Sequence, residues 1–168
     1  MELHVINQPN DDLLKEHARW VVESDLALAQ SEFQWLVKDK LEVGLEEWLK
    51  DLSDFTKQEK SLLDSIGFDE EADAGTWILL AISNGEPVGM ARTVVWGDGI
   101  WSVNSVFVDP SHRNKGVGYA LMDKVKRTAQ EFDGKQIQLS VYNRNAAAMK
   151  LYQKLGFISY TTNMACSL

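Results

Sequence analysis

The sequence predicts a single α/β domain, and three observations carry that expectation. A proline-free stretch with helical apolar spacing follows one short strand pattern. Three apolar runs separated by Asn/Gly and Gly/Asp turns come next. Helix and strand patterns then alternate to the end. At 168 residues the chain is long enough for one real core and too short for two comfortable ones.

Each element follows from local pattern. "ELHVIN" (2–7) reads as a strand closed by Pro9 and Asn10. Leu14, Ala18, Val21 and Val22 recur as one helical stripe; Leu41, Leu45, Trp48, Leu49, Leu52 and Phe55 form a second. Leu62, Leu63 and Ile66 extend the latter to a stop at Gly67, and the acidic "GFDEEADAG" (67–75) reads as a loop. "TWILLAIS" (76–83), "VGMARTVVW" (88–96) and "IWSVNSVFV" (100–108) read as three strands of an antiparallel meander. Their turns are "NGEP", where Asn-Gly accepts positive φ, and "GDG". Val117, Leu121, Val125, Ala129 and Phe132 repeat as a helix face closed by Asp133-Gly134. "QIQLSVY" (136–142) alternates as a strand. A last helix runs from Asn145 as N-cap to Leu155 with Gly156 beyond it, and "FISYTT" (157–162) is expected to be the final strand.

Composition bounds the function. Hydrophobic residues at 45% and charged residues at 25% are ordinary for a globular chain. The single Cys166 excludes an internal disulfide framework and fits a reducing compartment. The first twelve residues lack the basic and apolar regions of a secretion signal, and the longest apolar run, "WILLAI", is too short to cross a bilayer. A cytoplasmic location is expected, with no membrane association. The net charge of −8 divides unevenly: residues 1–109 hold 8 Lys+Arg and 22 Asp+Glu (−14), and residues 110–168 hold 9 and 3 (+6). That division suggests an anionic ligand near the C-terminal part and a cationic one near the N-terminal part, while solvated charged faces are the plainer account. The acidic balance argues against nucleic-acid binding.

The stretch "VFVDPSHRNKGVGYALM" (106–122) concentrates the chemistry. A helix start leaves about four backbone N–H groups without intrahelical partners and carries partial positive charge. Gly116 and Gly118 let phosphates approach those amides, while Arg113 and Lys115 add whole charges. The pattern is neither a Walker loop, which needs G-x-x-x-x-G-K-[ST], nor a dinucleotide fingerprint, which needs a third small residue at Leu121.

Two ordered motifs resemble signatures of the GNAT superfamily of N-acetyltransferases. One is Val108-Asp109-Pro110 followed by Arg113-Asn114-Lys115-Gly116-Val117-Gly118. The other is Asn145, Ala148, Leu151, Tyr152, Lys154, Leu155, Gly156 and Phe157, matching N-x-x-A-x-x-L-Y-x-K-L-G-F. The resemblance covers residues 76–162 well. It implies the GNAT fold, a mixed and mainly antiparallel twisted sheet with helices on both faces. It divides the single domain, 1–168, into a helical acceptor-side part (1–75) and an acetyl-CoA-binding part (76–168). It further implies that the amides of residues 114–118 cradle the CoA pyrophosphate, and that the backbone of Val106, Phe107 and Val108 pairs with the pantetheine arm. That same backbone would polarise the thioester carbonyl, Asn145 would hydrogen-bond the pantetheine, and Tyr152 would protonate the leaving thiolate.

The implied reaction is acetyl transfer from acetyl-CoA to a primary amine by direct attack. Acceptors across the superfamily include small amines, aminoglycosides, polyamines, amino acids, protein N-termini and lysines. Homodimers are common among such folds. The alternatives are a CoA-binding regulatory module without turnover and a generic nucleotide binder. The general base is the gap. Ser102 and Asn104 on one strand, and Gln138 and Ser140 on another, stand where many relatives carry Glu; a water chain ending at an N-terminal carboxylate is the expected substitute. His4, His17 and His112 show no metal spacing, and Cys166 no motif. Trp20, Trp35 and Trp48 are expected mainly in the core, with an acceptor pocket as the lesser reading.

Overall fold

The structure, a computed structural model, describes residues 1–8, 11–38, 54–70, 73–162 and 164. Trp48, Cys166, the side chain of Trp35 and the stripe from Leu41 to Leu52 lie outside the described residues. The described elements run β1 (Glu2–Ile6), α1 (Asp12–Lys38), α2 (Phe55–Ser65), β2 (Gly67–Asp69), β3 (Ala74–Ser83), β4 (Glu86–Trp96), β5 (Ile100–Val108), α3 (Val117–Glu131), β6 (Gln136–Leu139) and α4 (Ala146–Lys154). A 3₁₀ turn at Pro110–His112 joins β5 to α3. Among the described residues no helix is long and apolar enough to cross a membrane.

The sheet order is β1-β3-β4-β5-β6, with β2 also paired to β3. Every pairing is antiparallel except β5 with β6, which is parallel. The hairpin turn between β3 and β4 has Asn84 at φ 55° and Gly85 at φ 84°, the two positive angles that match strand twist. Helices cover both faces. Leu14, Ala18, Val21 and Val22 of α1 and Leu62 of α2 bury against Ile78, Leu80 and Met90. On the other face Val117, Leu121, Met122 and Val125 of α3 bury against Leu79, Ala81, Ala91 and Val103.

The sheet is thus mixed and mainly antiparallel between two helical layers, as the sequence predicts, with local differences. The segment 67–75, expected as a loop, contributes β2: residues 67–69 pair antiparallel with 74–76, a partnership that the local composition does not reveal. β6 ends at Leu139 rather than at residue 142. Residues 157–162 form no strand. Extended propensity makes a strand only when a ladder accepts it; here Phe157 packs inward, whereas Ile158 is 84% and Tyr160 67% exposed. Phe132, expected on the buried face of α3, is its C-cap and 55% exposed, lying edge-on to Trp77.

β5 carries one irregularity that sets its faces. Arg92 pairs with Ser105 and Thr93 with Val103, so Asn104 is an extra, exposed residue in the ladder. Trp101 and Val103 before it, and Val106 and Val108 after it, therefore all pack on the α3 side. Phe107 packs on the α1 side, and Ser105, two residues before it, shares that side.

Candidate active site

The two parallel strands, last in the order of the described sheet, part company along their length. β5 and β6 pair from Ile100↔Gln136 to Val103↔Leu139 and no further. Beyond Val103, among the described residues, β5 pairs with β4 alone. The Asp109 N–H donates to the Val88 C=O at 3.0 Å, which fixes the hydrogen-bonding phase of the antiparallel ladder. By the alternation of that ladder, Phe107 is tied to Met90. Val106 and Val108 turn their N–H and C=O groups into the opening. The Arg113 Nε donates to the Val108 carbonyl at 3.0 Å, so the Val106 peptide groups and the Val108 N–H remain for a ligand.

The loop at the mouth of this opening presents further donors. Asn114 at φ 60° and Gly116 at φ 84° bend the chain into α3, whose N-cap is Gly116 with no side-chain cap. The first intrahelical bond is from the Ala120 N–H to the Gly116 C=O at 3.0 Å, leaving the amides of Val117, Gly118 and Tyr119 without intrahelical partners. A Cβ at Gly116 would meet nothing within 4 Å, so solvent-side space over these amides is open. Gly118 differs. Its Cβ would stand 3.4 Å from Leu151 and 3.6 Å from Val108, filling the floor between β5 and α4. The two glycines thus differ: Gly116 occupies a left-handed turn, whereas a Cβ at Gly118 would meet Leu151 and Val108 at ordinary contact distance. Asp109 accepts from the Ser111 N–H at 2.8 Å, which caps the 3₁₀ turn, and Ser111 holds its carboxyl below the usual range.

α4 forms the far wall. Asn145 Oδ1 accepts from the Ala148 N–H at 3.1 Å as the expected N-cap, which leaves its side-chain amide N–H groups available. The Lys126 ammonium donates to the Leu155 carbonyl at 2.8 Å and ties the end of α4 to α3. Leu151 and Tyr152 pack with Val106 and Val108 in one apolar cluster, and Phe157 lies 5.8 Å from the Tyr152 ring. Burial pushes the Tyr152 phenol above its ordinary value, so it keeps its proton through the neutral range. Of the residues singled out in the sequence, Val106, Val108 and Tyr152 share one cluster, Arg113 bonds Val108 and Gly118 stands against Val108 and Leu151, while Asn145 caps α4.

The α1 face of the same region is polar where the sequence analysis named no residue. Asp25, 12% exposed, sits between Val21, Val22 and Ala29 on the apolar stripe of α1. Its Oδ2 lies 2.9 Å from Arg92 Nη1, the Ser105 hydroxyl also bonds the carboxylate, and Oδ1 is buried without a partner. Burial raises its carboxyl above the usual range, against the pull of Arg92 and Ser105. The sequence signal was available: a carboxylate at the next position of a stripe that is otherwise apolar. Trp20 of α1 stands edge-on to Phe107, 5.7 Å between ring centres, so it walls this side and also joins the core. Farther along β5, Ser102 Oγ accepts from Gln138 Nε2 at 2.9 Å and Trp96 Nε1 at 3.3 Å. Among the described residues no group of three or more His, Cys, Asp or Glu side chains is placed to hold a metal ion.

A model of the acetyltransferase (GNAT) family matches residues 30–157, and the chain belongs to that family. The streptothricin acetyltransferase of Streptomyces lavendulae is 31% identical over 90 residues, which are 52% of this chain and 47% of that protein. The chain thus spans about half the length of this relative. In fold it is similar to the PaiA N-acetyltransferase of Thermoplasma acidophilum, solved in complex with coenzyme A. The TM-score there is 0.63, with 15% identity and coverage of 97% and 94% of the two chains. It is equally similar, at TM-score 0.63 and 11% identity over 99% and 95%, to an aminoglycoside acetyltransferase from an uncultured soil metagenomic sample in complex with sisomicin.

Proposed function

We propose that the protein transfers the acetyl group of acetyl-CoA to a primary amine by direct attack, without an acyl-enzyme. The observation that carries this reading is the sheet opening: the Val106 peptide groups and the Val108 N–H face the same space as the free amides of α3 and the half-buried Tyr152. The residues fit the cosubstrate. Acetyl-CoA bound there supplies an activated thioester. The amides of residues 114–118 and the cations Arg113 and Lys115 receive its phosphates. The backbone at 106–108 and the Asn145 amide align its arm, and an N–H of that backbone polarises the acyl oxygen. Tyr152 Oη holds the proton that the departing sulfur takes up. Titration calorimetry with acetyl-CoA tests binding. Release of CoA in the presence of spermidine, an aminoglycoside, free amino acids or lysine peptides tests turnover. Absence of binding, or binding without release for every amine, overturns the reading.

The acceptor is proposed to be cationic, because residues 1–109 carry a charge of −14 and supply the acceptor-side wall. The expected result is a KM for the acceptor that rises severalfold as added salt shortens the screening length to about 8 Å. A salt-independent KM, or activity confined to neutral or anionic acceptors, refutes the cationic assignment. A reducing cytoplasm suits a chain with a single cysteine.

A further inference from the structure

The proposed reaction needs a proton acceptor for the attacking amine, and Ser102, Asn104, Gln138 and Ser140 beside the opening carry no group of that basicity. The α1 face offers one group of the right kind. Asp25 is a carboxylate placed among core residues. Among the described residues, the other carboxylates of α1 and α2 with ion partners, Asp12, Glu23 and Glu59, are 100%, 50% and 32% exposed in their side chains. Its Oδ1 is fully buried, so a substrate nitrogen does not reach it directly. Ser105 does reach outward. It is partly exposed, it bonds the Asp25 carboxylate, and it stands one residue before Val106, whose peptide groups face the opening.

We infer that Ser105 and Asp25 form a proton relay for the acceptor amine, with Arg92 holding the carboxylate in place. The inference rests on the acetyl-transfer reading above. As the nitrogen bonds to the acyl carbon and the carbon–sulfur bond breaks, the nitrogen gives one proton to Ser105 Oγ. The Ser105 hydroxyl proton moves to Asp25, and the sulfur takes up the Tyr152 proton. Both residues recover their starting state by exchange with solvent after product leaves. Ser105 touches the reacting nitrogen and is the catalytic residue; Asp25 and Arg92 act through it and are positioning residues. The raised carboxyl of Asp25 suits the task, since a carboxylate of ordinary acidity is a poorer proton acceptor at neutral pH. The groups facing it are Arg92 from β4 and Ser105 from β5. Glu59 of α2 pairs with Arg19, six positions before Asp25 on α1.

Asp25→Asn keeps the shape and removes the proton acceptor; Ser105→Ala removes the bridge. Each is expected to lower kcat by about 10²-fold with the best acceptor of the panel, leaving acetyl-CoA affinity by calorimetry unchanged. The double variant should be no slower than the worse single one, because the two act as a unit. The ionisation of the amine is common to all variants, so an acidic limb of the pH–rate profile lost only in Asp25→Asn belongs to Asp25. Independently of turnover, the carboxyl carbon of Asp25 in the ligand-free protein should titrate above the range of exposed aspartates, and Ser105→Ala should move it higher. Wild-type kcat in either folded variant, or an Asp25 carbon titrating as an exposed carboxylate, overturns the relay. If Asp25→Asn fails to fold, Ser105→Ala and the carbon titration decide. Failure of the wild type to bind acetyl-CoA defeats the acetyl-transfer reading instead, and the two failures are therefore distinct.

Discussion

Tyr152→Phe is expected to lower kcat by about 10²-fold while the KM for acetyl-CoA changes little. The ring, which packs with Val106, Val108 and Phe157, is retained, so fold and binding survive. Only the proton is lost. A thiolate is an acceptable leaving group unaided, which keeps the effect at the low end for general acid catalysis. Burial raises the phenol, so the acid form persists as pH climbs past neutrality. In the wild type the basic limb of kcat should lie high and vanish in the variant. Steady-state kinetics with chemistry shown to be rate-limiting checks this, and an unchanged kcat in folded Tyr152→Phe removes the residue from the mechanism.

Trp101→Ala should cost about 3–5 kcal/mol of stability, the range for emptying a large buried aromatic site. Trp101 is fully buried, stands edge-on to Trp77 at 4.9 Å, and pairs in register with Ile137. It therefore anchors the short stretch over which β6 is joined to the sheet. For a chain of this length the loss corresponds to a fall in Tm of roughly 6–20 °C. Chemical denaturation followed by tryptophan fluorescence and circular dichroism measures it. A loss below about 1 kcal/mol would show that the cluster of Trp77, Trp101 and Ala129 is not the clamp described.

Much of this architecture was legible because local rules and the global fold agree. The helical stripes of α1 and α3, the Asn-Gly hairpin and the Asn145 cap are each decided by a few neighbouring residues. Their structures match the reading. The failures lie where distant partners decide. Residues 157–162 have strand composition, but no neighbouring strand pairs with them. β2 exists only because the start of β3 is there to receive it. The faces of β5 are illegible to strict alternation, which groups Trp101 and Val103 with Ser105 and Phe107; the extra residue Asn104 regroups them. The site divides in the same way. The loop at 113–118, proposed to receive phosphates, and Tyr152 are legible from motifs, whereas the partners of Asp25 come from β4 and β5, more than 60 residues away along the chain.

The parting of β5 from β6 gives the molecule an edge in its interior. Depth in a sheet ordinarily slows exchange of amide hydrogens with solvent, because each is held in a ladder. Here neighbouring residues of one strand should behave oppositely. The Phe107 amide, bonded to Met90, is expected to exchange slowly, and those of Val106 and Val108 to exchange from the intact protein. A fast–slow–fast pattern at 106–108 would mark the opening in solution before any ligand is added. Its conversion to three slow amides with acetyl-CoA would show the gap being closed by a strand that is not protein.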